Sequence, residues 1–539
     1  MGLTSYDLVI RNGKVVTGVT QTWFETDIAV RDGRIVRIGY LKNVSSDVVI
    51  DVKGRYVVPG FIDMHNHSDL SIIAYPEALN SLMQGVTTLV IGNCGFSAAP
   101  VLPKSLNDIK RFWSQLSLGI SVDITWSSFD EYLRTLETVK PAVNIVPLVG
   151  HGTLRINVAG FDDYLSNEDL EMMKELTVDA MRAGAFGIST GLIYPPGSYA
   201  STNELVELAR VVSGYGGIYS THIRSESHRL LEAVKEALEI GLRAGIPVEI
   251  SHLKAAGRPN WGKVKEVIDL VRKYREYGVE VNYDMYPYTA GSTSLIALLP
   301  QSLYRDGFDI LISKLSDKGF RDEVIKLVES SSDWENLLKI LRWEDIVISY
   351  SGSCKPCEGR SILELSRELG KDPYDIIFDL ICSDQGRTLM VMHFMNEEDL
   401  IYGLKQPYSL IGSDSLVIPL GMGKPHPRFF GTFPRVIKRY VKDLGILSLE
   451  EAVAKMSSIP AQKLRLNDRG IIAPGFKADL VVLDIKNIED RATFEDPNKY
   501  PVGIDYVIVN GTISVSEGEY VGIRNGEVIK NPATSSINQ

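Results

Sequence analysis

Two histidines in the segment "MHNHSD" have the spacing of metal ligands. His65 and His67 are separated by one residue at the end of a predicted strand, "VVPGFIDMH". Side chains alternate along a strand, so both imidazoles point to the same side. Two imidazoles on one side of a strand end can chelate one divalent cation, although this pattern alone is a weak signal. The alternative is an exposed or hydrogen-bonded histidine pair.

Further ligand-type residues follow other predicted strands. Cys94 follows "TTLVIGN", His222 and His252 lie at the ends of "GIYSTHI" and "PVEISH", and Asp414 ends "SLIGSD". The carboxyl ends of parallel barrel strands meet at one rim, which is where active sites form in such barrels. The predicted metal ligands are therefore His65, His67, Cys94, His222, His252 and Asp414.

Cys94 can be interpreted as a metal ligand or as a nucleophile. Soft sulfur combined with imidazole nitrogen selects zinc over magnesium or calcium. A nucleophilic cysteine instead requires a neighbouring base that removes the thiol proton. A cysteine bound to a cation is already deprotonated and is a poorer attacker, so the surrounding histidines favour the ligand interpretation.

Elements that could position these residues alternate between apolar strands and helices over residues 59–468. Eight such strand–helix units predict a (β/α)8 barrel of the TIM type. The helix-rich stretch at about 289–348 follows the seventh strand and is predicted to be a small inserted domain. Two further strand candidates, "DIVISYS" and "LMVMHF", are assigned to the edges of this insertion.

Short strands separated by turns occupy both ends of the chain. The dipeptides Asn12-Gly13, Asp32-Gly33 and Asn510-Gly511 favour tight hairpins. Each terminal set is small for an independent sheet. We therefore predict one β-sandwich domain built from residues 1–58 and 469–539, with the barrel inserted between them.

Composition excludes several classes of function. The 539-residue chain has a net charge of -11 and no basic run, so nucleic acid and anionic membranes are not expected partners. No apolar stretch approaches the length of about 18 residues that a membrane span needs. Four cysteines do not form a disulfide framework, which favours a reducing, cytoplasmic location. The pair in "CKPC", Cys354 and Cys357, is interpreted as structural or incidental, and a homo-oligomer is compatible with the sequence.

Several motifs together resemble the D-aminoacylase, or N-acyl-D-amino-acid deacylase, family of the amidohydrolase superfamily. They are "VVPGFIDMHNHSD", "IGNCGFSAAP", "GISTGLIYPPG", "THIRSE", "ISHLK", "DMYPYTAGST", "GSD", "HPRFFGTFPRV" and "PGFKADLVVLD". The resemblance covers about residues 6–485. It implies a metal-dependent (β/α)8 barrel, a β-sandwich from the two termini and a small inserted domain. It also implies hydrolysis of the amide bond of N-acyl-D-amino acids, giving a carboxylate and a free D-amino acid.

The resemblance implies a role for each site residue. Cys94, His222 and His252 would hold one tightly bound zinc ion, and His65 and His67, with Cys94 as a bridge, would form a weaker second site. Metal-bound hydroxide would attack the acyl carbonyl, with Asp414 as general base and then general acid. The substrate-binding residues would be Lys254, Tyr286, Arg428, Tyr194 and Arg224.

His151, in "VGHGTLR", is a second catalytic candidate. It would orient the substrate or stabilise the oxyanion, and a buried supporting histidine is the alternative. Competing functions are another amidohydrolase that opens a cyclic amide or cleaves a dipeptide, and an inactive binding module. Hydantoinase-like members place a carboxylated lysine on strand 4, but the strand-4 segment "GAFGISTGLIYPPG" contains no lysine.

Overall fold

Strands from both termini combine into one sheet in the computed structural model, which describes residues 5–331 and 334–533. The sheet has nine strands and mixed direction, and strand Leu480–Leu483 pairs antiparallel with Tyr56–Pro59 to join the two ends of the chain. Its strands are Ser5–Val15, Phe24–Arg31, Arg34–Ile38, Ser45–Asp51, Tyr56–Pro59, Leu480–Leu483, Ile504–Val509, Thr512–Ser516 and Glu519–Tyr520. The exact domain limits at 58 and 468 stay predictions.

The predicted hairpins at Asp32-Gly33 and Asn510-Gly511 are present. Asp32-Gly33 and Asn510-Gly511 adopt positive φ and join strands whose flanking residues are paired across the turn. Asn12-Gly13 does not, because the chain continues as one strand from Ser5 to Val15 with a bulge at this point. The bulge is held by Asp27, whose carboxylate accepts a hydrogen bond from the Asn12 backbone N–H.

The predicted barrel is present, with its eight parallel strands in chain order. The third strand is interrupted at Leu148. Its first part pairs within a three-stranded sheet and its second part within a six-stranded sheet. The strands are Phe61–Asp63, Val86–Ile91, Asn144–Pro147 with Val149–Gly150, Gly187–Gly191, Ile218–His222, Val248–Ile250, Val281–Met285 and Ser409–Ile411. They are completely buried, as expected for strands covered by helices on the outside.

Hydrogen bonds between the ends of the first and eighth strands close the barrel. The Asp414 N–H donates to the His65 carbonyl, and the His67 N–H donates to the Ser415 carbonyl, each at 2.8 Å. The buried carboxylate of Asp63 accepts hydrogen bonds from the N–H and hydroxyl of Ser413. This closure brings residues about 350 positions apart in sequence to the same rim.

Amphipathic helices cover the barrel. Leu230–Ala244, for example, buries Leu230, Val234 and Leu238 against the strands. The α-helices outside the insertion are Ser71–Ala74, Leu79–Leu82, Leu106–Ser114, Phe129–Val139, His151–Ala159, Asn167–Ala183, Thr202–Gly214, Leu230–Ala244, Val264–Glu276, Glu397–Leu404, Arg428–Arg435, Leu449–Met456 and Ser458–Lys463, and a π-helix spans Val436–Asp443. None of the helices in the described part of the chain has the length and apolarity needed to cross a membrane.

The inserted segment extends beyond its predicted end at about 348. Strand Gly291–Ser294 pairs with Leu389–Met392, which also pairs with Ile346–Tyr350, so a three-stranded sheet closes only near residue 392. Both extra strand candidates belong to this sheet. Its helices are Phe308–Lys314, Lys318–Ser330, Ile362–Leu369 and Pro373–Ser383. The sheet lies over the rim of the barrel, where Thr293 and Met392 line the same cavity as His252.

Candidate active site

Three residues that follow barrel strands adopt left-handed backbone conformations. Cys94, His252 and Asp414 have φ values of 52°, 34° and 50°. Such conformations are unfavourable for residues other than glycine, and they cluster at functional sites. The result here is that all three side chains line one cavity at the carboxyl ends of the strands.

Cys94 lies at the centre of a buried group of imidazoles. Its Sγ is 3.2 Å from His65 Nε2, 3.5 Å from His252 Nε2 and 3.8 Å from His222 Nδ1. Burial alone would raise the pKa of the thiol, but the charges of His65 and His252 lower it well below its usual value of 9.0. Burial lowers the pKa of His222, which favours the neutral imidazole that binds metals.

These donor atoms fit a zinc ion. Zinc bonds of about 2.0–2.3 Å in tetrahedral geometry place ligand atoms roughly 3.3–3.8 Å apart, which matches the separations around Cys94. The grouping His65, Cys94 and His252 has donor atoms within 4.8 Å of one another, and so does His65, His67 and Asp414. His65 is common to both, so the two groups adjoin.

Two buried carboxylates support the imidazoles from behind. Asp284 Oδ2 lies 3.3 Å from His65 Nδ1, and Glu226 Oε1 lies 3.0 Å from His252 Nδ1. A carboxylate on the far nitrogen fixes the tautomer and orientation of a metal-binding histidine. Neither residue was predicted from the sequence. Asp284 is the penultimate residue of the seventh strand, Val281–Met285, and this position near the strand end was the available signal.

Asp414 has cationic partners on both sides. Its Oδ1 lies 3.1 Å from His67 Nε2, and its Oδ2 lies 2.9 Å from Arg428 Nη1. Burial would raise the pKa of Asp414, but Arg428 and the imidazoles hold it well below its usual value of 3.8. The group is therefore ionised and oriented at the edge of the imidazole cluster.

Arg428, Tyr286 and Lys254 form one wall of the cavity. The Arg428 guanidinium lies 4.7 Å from the centre of the Tyr286 ring, and Lys254 Nζ lies 5.7 Å from it. Lys254 also has a buried carboxylate partner, with Nζ 2.5 Å from Glu226 Oε1. The three side chains are close enough to act on one bound anion.

Tyr194 also lines the cavity. Its ring contacts the His222 imidazole edge-on, with centroids 5.2 Å apart, and its hydroxyl lies 3.0 Å from Thr293 Oγ1 of the inserted sheet. Around these residues the cavity holds about 780 Å³ of space, including its open mouth.

Two predicted site residues lie outside the cavity. His151 is completely buried and its Nε2 lies 2.8 Å from Glu204, which also pairs with Arg155, so this histidine belongs to a packed ionic network. Arg224 makes two hydrogen bonds to the Glu236 carboxylate and two to backbone carbonyls. Neither residue lies in the group around Cys94, and a contact of either with substrate stays a prediction.

The remaining cysteines are remote from the imidazole cluster. Cys354 and Cys357 form a disulfide within the insertion, and Cys382 is a half-buried free thiol. All three line a separate surface depression. This single local bond closes a turn of four residues and does not make a disulfide framework, which agrees with the structural interpretation of the pair.

Comparison with known proteins agrees with this geometry. The sequence model described as "Amidohydrolase family" matches residues 48–269 and 404–515. D-aminoacylase from Alcaligenes xylosoxydans xylosoxydans is 34% identical over 535 residues, which cover 98% of this chain and 98% of that protein. This chain belongs to the D-aminoacylase family of amidohydrolases.

Other members of the family are similar over nearly the whole chain. N-acyl-D-glutamate deacylase from the same organism is 34% identical over 510 residues, covering 94% of this chain and 93% of that protein. A solved N-acyl-D-glutamate deacylase from Bordetella bronchiseptica has a TM-score of 0.81 at 31% identity, covering 98% of this chain and 100% of that one. That enzyme is complexed with zinc and a phosphonate that mimics the tetrahedral intermediate of the reaction.

Proposed function

We propose that this protein is a zinc-dependent deacylase that hydrolyses N-acyl-D-amino acids to a carboxylate and a free D-amino acid. The observation that carries the proposal is the position of the Asp414–Arg428 ion pair beside the cluster formed by Cys94 and the imidazoles. Metal ligands, a proton carrier and an anion-binding group then line one cavity. The activities of the relatives on N-acyl-D-amino acids support the choice of substrate.

Cys94, His222 and His252 would hold one zinc ion tightly. His65 and His67, with Cys94 shared between the sites, would hold a second ion more weakly. When bound, zinc supplies Lewis acidity, which polarises a carbonyl oxygen and makes water acidic near neutral pH. Glu226 and Asp284 keep the imidazoles of His252 and His65 oriented for metal binding.

Asp414 would transfer protons. Its carboxylate is ionised, so it can accept a proton from the attacking water and then deliver that proton to the departing amide nitrogen. A positioned acid–base group contributes about 10²–10⁴-fold to the rate. Because Arg428 and His67 contact different oxygens of the carboxylate, the group cannot rotate freely away from the reacting atoms.

The substrate's α-carboxylate would bind to Arg428 and Tyr286, with Lys254 adding positive charge to that wall. A guanidinium can contact a carboxylate through two parallel hydrogen bonds. Tyr194 would limit the opposite side of the bound substrate. Hydrolysis of a cyclic amide is the alternative. Hydantoinase-like enzymes place a carboxylated lysine on the fourth strand to bridge two metal ions, so the absence of lysine from Gly187–Gly191 disfavours it.

A chiral assay tests the proposal directly. Purified protein loaded with Zn²⁺ is incubated with N-acetyl-D- and N-acetyl-L-amino acids and with a hydantoin, and the free amino acids are separated on a chiral column. We expect release of D-amino acids only, loss of that activity in a chelator and its return with added zinc. Exclusive turnover of L-substrates or of the hydantoin would refute the proposal.

A further inference from the structure

The inserted sheet forms an apolar wall directly beside Arg428. We propose that the enzyme selects N-acyl-D-amino acids with neutral, apolar side chains, and that Met392 and Phe394 form the wall that contacts those side chains. This inference rests on the proposed function, and it goes beyond it by selecting among the apolar and acidic substrates that such an enzyme could accept.

The position of the wall follows from the chemistry of an α-amino acid. The side chain and the α-carboxylate are bonded to the same carbon, so a side-chain pocket must lie within a few ångströms of the group that binds the carboxylate. Arg428 Nη2 donates to the Ser292 carbonyl at 3.3 Å, and the neighbouring Gly291 pairs directly with Met392 across the inserted sheet. Met392 is therefore one strand away from the guanidinium.

Phe394 lies beside Tyr286, another residue of the carboxylate-binding wall. A Cβ built on Gly291 would lie 2.8 Å from the Phe394 ring and 3.4 Å from the Tyr286 hydroxyl. Phe394 and Tyr286 thus meet at Gly291, where any side chain larger than glycine's hydrogen would clash with the Phe394 ring and contact the Tyr286 hydroxyl. Both Met392 and Phe394 line the cavity and leave only 4% of their surface exposed. A side chain bound here would contact thioether and aromatic carbon atoms.

The charges in the cavity disfavour a second carboxylate. Apart from the histidines of the imidazole cluster, the basic residues among the described ones that line it are Lys254 and Arg428, and each already has a carboxylate partner, Glu226 or Asp414. Once Arg428 binds the α-carboxylate, an aspartate or glutamate side chain would have no cation of its own. Burying an unpaired carboxylate is costly.

Glu335 strengthens this discrimination. Its carboxylate is 4% exposed, lines the same cavity and is held by the hydroxyls of Ser225 and Ser227 and by the Glu226 N–H. Burial raises the pKa of Glu335 and the hydrogen bonds from Ser225 and Ser227 lower it, and in its carboxylate form Glu335 would repel an acidic side chain. The other apolar residues that line the cavity are Leu116, Ile193, Leu337, Leu389, Leu416 and Phe429.

A substrate panel tests the inference on the wild-type, zinc-loaded enzyme. We expect kcat/KM for N-acetyl-D-methionine and N-acetyl-D-leucine to exceed that for N-acetyl-D-glutamate and N-acetyl-D-aspartate by about 100-fold, because like charges and an unpaired carboxylate oppose the acidic substrates. A ratio below about 10 would overturn the inference while leaving the proposed function in place. No turnover of any D-substrate would overturn both.

Met392→Arg tests the wall itself. A guanidinium at this position would pair with an acidic side chain, so the apolar-to-acidic ratio of kcat/KM should fall by about 10-fold or more. Met392→Leu is the matched control and should keep the wild-type ratio. Zinc content and thermal melting establish that both variants are folded. An unchanged ratio in a folded, zinc-loaded Met392→Arg enzyme would remove Met392 from the side-chain wall.

Discussion

Glu226 and Lys254 form a buried ion pair at the edge of the imidazole cluster, with Oε1 and Nζ 2.5 Å apart. The same oxygen lies 3.0 Å from His252 Nδ1, so Lys254 and Glu226 together hold the His252 ring with its Nε2 toward Cys94. Burial would raise the pKa of Glu226, but Lys254 and the imidazoles lower it. The carboxylate is therefore a charged support for a metal-binding histidine.

Replacing Glu226 by glutamine should weaken metal binding without changing the ligands themselves. Loss of such a supporting carboxylate typically reduces metal affinity by about 10–100-fold. Competition titration with a zinc chelator measures the dissociation constant. Glu236→Gln is the matched control, because Glu236 pairs with Arg224 outside the cavity. Equal zinc affinity in the two variants would contradict the supporting role.

Cys94→Ser should distinguish the two interpretations of the cysteine. If Cys94 is a ligand, the variant will lose most of its zinc, measured by elemental analysis after gel filtration, because a hydroxyl is a much poorer zinc ligand than a thiolate. Cys382→Ser, at a half-buried thiol away from the cavity, should keep wild-type zinc content. Full zinc content with lost turnover in Cys94→Ser would instead support a nucleophile.

Asp414→Asn should separate catalysis from tight zinc binding. The amide keeps the size of the side chain but cannot accept a proton, so kcat should fall by about 10²–10⁴-fold while the zinc held by Cys94, His222 and His252 is retained. Asp468→Asn, which changes an exposed ion pair with Arg34, is the control and should leave kcat unchanged. Turnover within a few-fold of wild type would remove Asp414 from the mechanism.

Arg428→Lys should raise KM, whereas Arg224→Lys should not. Lysine keeps the charge but loses the planar fork that contacts a carboxylate twice, so we expect KM for the N-acyl-D-amino acid to rise about 10-fold or more. Arg224 is the matched control because its guanidinium is bound to Glu236 and backbone carbonyls. Equal changes in KM in the two variants would contradict a specific role of Arg428 in binding the α-carboxylate.

Lys455 should make stability depend on pH in the alkaline range. Burial lowers its pKa from 10.5 to about 8, so between these values the unfolded chain binds the proton more strongly than the folded one. The contribution of Lys455 to the free energy of unfolding should therefore rise with pH from about 8 to 10.5, by at most about 3 kcal/mol. Below pH 8 the cost of the buried charge is fully present.

Urea denaturation of wild type and Lys455→Met at several pH values measures this effect. The difference in the free energy of unfolding, wild type minus variant, should increase with pH, since only the wild type carries the titrating group. The variant also loses hydrogen bonds to the Gln406 carbonyl and Ser409 hydroxyl, but that loss is independent of pH. A constant difference from pH 7 to 10 would contradict the prediction.

The barrel and the group of candidate ligands could be predicted because local patterns sufficed for them. Buried strands followed by helices indicate a parallel sheet, and parallel strands place their carboxyl ends at one edge. His65 and Cys94 could therefore be placed together from their positions after strands. The structure shows their donor atoms 3.2 Å apart.

Features that depend on pairing between distant segments could not be predicted. Asn12-Gly13 has the composition of a hairpin turn, yet Asp27 and the neighbouring strands hold it as a bulge. The predicted limit of the insertion at about 348 falls short of its sheet. The first strand of that sheet pairs with residues 389–392, far along the chain. A local pattern contains no information about which distant strand will supply the hydrogen bonds.

Residue types and order were thus enough to specify the family, the barrel and the donors available for a metal. The directions of the charged side chains were decided only in the folded molecule. Arg224 and Arg428 both lie in family motifs, but Glu236 binds the first outside the cavity and Asp414 binds the second within it. A guanidinium orients toward the carboxylate that tertiary packing brings near it, and spacing along the chain does not encode that partner.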